Sequence, residues 1–197
     1  VRRWEASAAM AILGVTEHHA LGYPDGGLRH DDLTAIEMIG ALIDEVCPDT
    51  ILTFGADGMT FHPDHIAVHH WVTTAWRSRG CDARLLYAAT TIEFLDRYRH
   101  DFERWNMYMT DERPTGVRAD ELGIHIRLES ADLDRKITAL RALATQTNGL
   151  IEMLGLDVYA EQVCEEWFID AGPAHGESTS WRSAPDRSAH TAPMVHP

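Results

Sequence analysis

Four histidines fall within nine residues, in the stretch Phe61-His62-Pro63-Asp64-His65-Ile66-Ala67-Val68-His69-His70. On a helix, His62 and His65 stand three positions apart and share one side of a turn. Imidazole nitrogens at that spacing can converge on a divalent metal, but a catalytic zinc takes three protein ligands and keeps a fourth position open. The pair therefore needs further donors. His69 adds a helical His-x-x-x-His pair with His65, yet no glutamate stands beside His65 as the zinc-protease motif requires. Two plainer readings compete: a solvated, histidine-rich helix start, and a metal buffer made of His62, His65, His69 and His70.

The flanking elements decide where these rings would sit. Thr50-Ile51-Leu52-Thr53-Phe54 reads as a buried strand, and Gly55-Ala56-Asp57-Gly58 as the turn that ends it. Pro63 suits a first helical position, where its missing N–H costs nothing, and Ile66, Val68, Val72 and Trp76 continue an amphipathic pattern. His62 and His65 are thus expected at the mouth of a strand-loop-helix unit, where open α/β sheets bind their ligands.

The remaining chain supplies the scaffold. An alanine-rich helix is expected over residues 1–13 with Gly14 as its stop, then a short strand at 19–23 and a turn at Pro24-Asp25-Gly26-Gly27-Leu28. A helix capped by Asp31 or Asp32 runs to Cys47 and is closed by Pro48. A strand at 83–89, a helix over 92–109, a strand at 124–128, a helix capped by Asp132 and a closing strand at 165–169 follow. This alternation predicts an α/β fold, a Rossmann-like and mainly parallel sheet flanked by helices. One domain is expected over residues 1–171, with 172–197, rich in Pro, Ser, His, Ala and Gly and without periodicity, as a disordered tail.

Composition narrows the partners. The 197 residues are 45% hydrophobic and 24% charged, ordinary for one globular domain. With 17 Lys and Arg against 31 acids and a net charge of −14, nucleic acid is excluded as an expected partner. No apolar run approaches the roughly 18–20 residues that span a bilayer, and the first residues lack the apolar core of a signal peptide. The three cysteines are scattered and read as reduced thiols. A cytoplasmic location is expected, with the oligomeric state left open.

Gly58-Met59-Thr60-Phe61-His62-Pro63-Asp64-His65-Ile66-Ala67-Val68 resembles the second signature of the PIG-L/LmbE-like zinc-dependent de-N-acetylases. Arg2-Arg3-Trp4-Glu5 is similar to that family's Arg-x-x-Glu helix, and Tyr23-Pro24-Asp25-Gly26-Gly27-Leu28 to its Tyr-Pro-Asp-Gly-Gly-Leu loop. Lys136 to Gln146 and Glu165 to Ile169 look like its late helix and closing strand, so the resemblance covers residues 2–170. It implies a hydrolase that removes acetyl from an N-acetylglucosamine-type sugar amide, with a small N-acetylated sugar conjugate as its partner. Arg2 and Asp25 would bind substrate, His65 would ligate zinc, and His62 would steady the oxyanion. Asp64 would keep His62 protonated by raising its pKa.

Three departures accompany the likeness. The family's first signature, Ala-His-Pro-Asp-Asp, which supplies the general base and two zinc ligands, has no counterpart, so the chain is expected to begin after the first βαβ portion, to hold an incomplete zinc site and to be inactive as it stands. Phe61 replaces a glycine before the signature histidine, and Leu143 replaces a histidine of the late helix. These departures open an alternative: a non-catalytic remnant that binds sugar without turnover.

Overall fold

The computed structural model describes residues 1–80 and 82–172. The tail expected over 172–197 lies, from residue 173 on, outside the described residues. Helix α1 (Arg2–Leu13) is closed by Gly14 at φ 77°, a left-handed residue that glycine adopts without penalty. Helix α2 (Leu33–Val46) begins where the Asp32 carboxylate accepts the Ala35 N–H at 3.0 Å and ends on Cys47. Strand β1 (Thr50–Phe54) leads through a single turn, α3 (Gly58–Phe61), into α4 (Pro63–Arg79), with Pro63 in the first turn and Gly80 closing it.

Strand β2 (Arg84–Ala89), helix α5 (Ile92–Arg104), strand β3 (Ile124–Arg127), helices α6 (Ser130–Ala142), α7 (Ala144–Leu154) and α8 (Leu156–Val163), and strand β4 (Glu165–Asp170) complete the order. The four described strands lie in the order β1-β2-β4-β3. β1 and β2 pair in parallel, with Thr53 opposite Tyr87. β4 pairs antiparallel with both β2 and β3, so β1, β2 and β3 all point one way and β4 alone runs against them. The sheet is mixed with most of its strands in one direction, the α/β architecture expected.

Helices α2 and α4 pack on each other and on β2 through Ala35, Ile36, Ile43, Ala67, Trp71 and Leu85. Both tryptophans of α4 bury their rings and satisfy their N–H groups: Trp71 donates to Arg29 O at 2.7 Å, Trp76 to Ala83 O at 2.8 Å. Helix α1 packs against α6, and Ala9, Met10, Leu13, Leu140 and Leu143 line the groove between them. Leu143, where the resemblance expects histidine, is an apolar residue at the α6–α7 junction.

Three local expectations are corrected. Residues 19–23 form no strand: Tyr23 lays its ring on Trp71 at 5.1 Å between centroids, so this segment packs on α4 instead of joining a ladder. The helix expected to run to 109 stops at Arg104, because Asn106 turns left-handed (φ 51°) and the Met107 N–H reaches back to Phe102 O. The helix assigned to an Asp132 cap starts three residues earlier, at Ser130 after Glu129, which puts Asp132 inside its first turn.

Candidate functional site

The site is built on the C-terminal end of β1 and the start of α4. His62 is the N-cap residue of α4, and its Nδ1 accepts the Asp64 N–H at 3.1 Å, filling one of the donor vacancies that every helix start leaves. An Nδ1 used as acceptor places the ring proton on Nε2, so His62 offers Nε2–H as a donor. His65 makes the opposite choice. Its Nδ1 meets Gly58 O at 3.0 Å, which assigns the proton to Nδ1 and leaves the Nε2 lone pair free. The two rings stack at 4.7 Å, and the other face of His65 lies on Phe54 at 4.0 Å with only 5° between the planes.

Asp64 is placed differently from the expectation that it would hold His62 protonated. Asp64 is only 8% exposed, and its carboxylate accepts the Gly26 N–H at 2.6 Å and the Leu28 N–H at 3.2 Å. The only hydrogen bond between Asp64 and the His62 ring among the described residues comes from its main chain. Asp64 therefore straps the Pro24–Leu28 turn to the start of α4. That strap brings Asp25 to the site, where its carboxylate pairs with Arg2 of α1 at 2.5 Å, both side chains remaining more than half exposed. Arg2, Asp25, Asp64, His62 and His65 thus form one connected group drawn from three segments.

Glu5, the other fixed residue of the Arg-x-x-Glu stretch, turns away from Asp25. Its carboxylate accepts both the N–H and the hydroxyl of Thr145, at 3.0 and 2.6 Å, and so caps the start of α7 from 140 residues away. Those two hydrogen bonds hold its pKa below the ordinary glutamate value.

The turn before His62 is under backbone tension. Gly58, Met59 and Phe61 all have positive φ, and Met59 (φ 68°, ψ −41°) lies outside even the left-handed well. Such residues cost about 1–3 kcal/mol each and persist only where their surroundings hold them. Met59 N–H is held by the Asp57 carboxylate at 3.0 Å, and Thr60 O by Met109 N–H, also at 3.0 Å. The position at which the resemblance expects glycine is Phe61, at φ 58°, which explains the glycine: only that residue takes this conformation freely.

His69, one turn beyond His65, donates from Nδ1 to Phe54 O at 2.8 Å. Burial is the main force lowering the pKa of both His65 and His69 below 6.5, and it outweighs the bonds to Gly58 O and Phe54 O that act the other way. Their neutral rings thus contribute stability that is fully present above pH 6.5 and is lost as pH falls through the lowered folded-state values, because there the unfolded chain binds more protons. Melting temperature should fall on acidification through that window, and the fall should be shallower in His69→Gln. Parallel slopes for the two proteins would contradict the assignment. A cleft of about 470 Å³ beside α4 is lined by His69, Thr73, Arg77, Tyr87 and Asp170 but by neither His62 nor His65.

Strand order, crossover and ligand-ready side chains at the end of β1 define an α/β protein of the kind whose site lies at the carboxyl edge of the sheet. Comparison with known proteins narrows the class: residues 1–76 match the model of the PIG-L family, GlcNAc-PI de-N-acetylase. A 1D-myo-inositol 2-acetamido-2-deoxy-alpha-D-glucopyranoside deacetylase of Thermomonospora curvata is 32% identical over 177 residues, covering 72% of this chain and 58% of the relative. The deacetylase of the same description from Saccharomonospora viridis is 32% identical over 166 residues, covering 72% and 60%. The chain spans about three fifths of the length of these relatives. In fold it is similar to the conserved protein TT1542 from Thermus thermophilus (TM-score 0.53, 17% identity, 92% of this chain and 77% of that one).

Three features of the site escape a reading of residue types alone. Phe54 looks like one more apolar strand residue, Glu5 like a solvated acid, and Gly58 like a generic turn residue. The spacing of a strand end and a Pro-led helix start could have marked Phe54; nothing local marks the reach of Glu5 to Thr145.

Proposed function

We propose that the chain serves the hydrolysis of the acetamide of an N-acetylglucosamine-type sugar conjugate, a zinc-dependent N-deacetylation. The observation that carries this reading is the strap from Asp64 to Gly26 and Leu28, which joins the Arg2–Asp25 pair to the His62–His65 pair. Arg2 and Asp25, exposed and already paired, are suited to exchange their mutual contact for sugar hydroxyls. His62 Nε2–H donates to the carbonyl oxygen as negative charge gathers there. Asp64 organises the loop and, through its main-chain N–H, fixes the tautomer of His62.

Zinc would polarise the carbonyl and activate a water. His65 Nε2 suits one ligand position, but the described residues contain no group of three His, Cys, Asp or Glu placed to hold a metal ion. A catalytic site needs three, so the donors present among the described residues do not complete one. That shortfall favours a second reading, sugar binding without turnover. A small sugar conjugate as substrate and a cytoplasmic location are part of this proposal; no described helix is long and apolar enough to cross a membrane.

The test is to incubate the chain with 1D-myo-inositol 2-acetamido-2-deoxy-alpha-D-glucopyranoside and added zinc, measuring acetate and, separately, heat of binding. Acetate release that disappears in His65→Ala and falls about 100- to 1000-fold in His62→Ala supports the hydrolase. Binding that Arg2→Ala abolishes, without acetate, selects the sugar-binding reading. Neither binding nor acetate would sink both.

A further inference from the structure

We propose that the side chain of Phe54 is the positioning residue of the histidine pair, fixing the direction in which the free Nε2 atoms of His62 and His65 face. The inference rests on the reading of these two histidines as the reacting pair. A histidine ring turns about a broad, roughly two-fold torsion, so a single hydrogen bond at one nitrogen does not by itself define its plane. His65 has such a bond, to Gly58 O, and that bond comes from a turn whose own backbone is strained.

What defines the plane is a three-ring stack. Phe54 covers one face of His65 at 4.0 Å and 5°, and His62 covers the other at 4.7 Å and 26°. Held between two rings, His65 keeps one plane, and Gly58 O selects which edge of it carries the proton. His62 inherits its orientation from the same stack on one side and from the Asp64 N–H on the other.

Phe54 is the last residue of β1, so its ring is referenced to the sheet and not to the mobile end of a side chain on the helix. Its main chain plays a separate part, since Phe54 O accepts the His69 Nδ1–H and ties α4 to the strand end. Side chain and carbonyl of one residue therefore govern different histidines. This division gives the test an internal control.

The experiment is two-bond proton–nitrogen NMR of the full chain labelled with ¹⁵N-histidine, free of metal and substrate, at about pH 8, where neutral imidazole dominates. In the wild type, His65 and His69 each show one tautomer, protonated at Nδ1. Phe54→Leu, a substitution near in volume, should replace the single pattern of His65 with an exchange-averaged mixture of both tautomers and leave His69 unchanged; Phe54→Tyr should restore it. A His65 pattern that survives Phe54→Leu overturns the proposal. So does loss at both rings, which would mark a general collapse of the strand end. Because neither metal nor sugar is present, the result is independent of acetate release: a His65 response without deacetylation keeps the positioning role and removes the reaction.

Discussion

Asp64→Ala is expected to destabilise the protein by about 4 kcal/mol, read from urea unfolding. The carboxylate is buried and accepts two main-chain N–H groups, and hydrogen bonds to a charged partner contribute roughly 1.5–3 kcal/mol each. The bond to Leu28, at 3.2 Å, belongs at the lower end. Asp64→Asn should cost about half as much, since its amide keeps one acceptor oxygen but turns a donor toward the second N–H. Both variants release the Pro24–Leu28 turn, so the sugar binding proposed for Arg2 and Asp25 should weaken with stability. A loss under about 1 kcal/mol in Asp64→Ala, on the scale of an ordinary neutral hydrogen bond, would show that Tyr23 and Trp71 hold the turn without the strap.

Gly58→Ala should cost about 3 kcal/mol or more, and the cost has two parts. At φ 59° a side chain adds about 1–2 kcal/mol of left-handed strain. The new Cβ would also stand 2.9 Å from His65 Cβ and 3.1 Å from Ile66 N and Cγ1, contacts with the rigid first turn of α4 that cannot relax cheaply, and overpacking of this kind costs about 1–3 kcal/mol. Gly26 is the matched comparison. It too has positive φ (73°), but nothing lies within 4 Å of its Cβ position, so Gly26→Ala should show the strain alone. Equal losses in the two variants would mean that the approach of Gly58 to His65 is not close in solution. The expected difference also moves the His65 ring, so its single tautomer should disappear in Gly58→Ala and persist in Gly26→Ala.

Much of the scaffold could be read from residue types because its causes are local. Gly14, Gly80 and Asp32 end or begin helices by backbone geometry and capping, and each does so where expected. Pro63 marked the start of α4 for the same reason. The direction of β4 could not be read, since an alternation of strands and helices says which elements exist but leaves a late strand free to enter the sheet either way. The site divides along the same line. His62 and His65 stood out by type and spacing, whereas Asp64 was legible as a carboxylate but not as a strap, because its partners are main-chain N–H groups 38 and 36 residues away. The reach of Glu5 to Thr145 spans 140 residues and has no local signal at all.

The position of β4 also bears on the order in which the protein can assemble while it is being made. Among the described residues β3 pairs with β4 only, and β4 lies between β3 and β2. Among the described strands, a growing chain that has emerged only as far as α8 has β2 paired with β1 alone, while β3 waits for β4. The last strand of the described fold is therefore the keystone: its insertion pairs the inner edge of β2 and recruits β3 in one event, across separations that make loop closure slow. Until then the apolar face of β2 and the unpaired backbone of β3 are open to chaperones or to neighbouring chains. A nascent-chain series with stall points on either side of Glu165–Asp170 would meet protease resistance as a single step, not as a gradual rise.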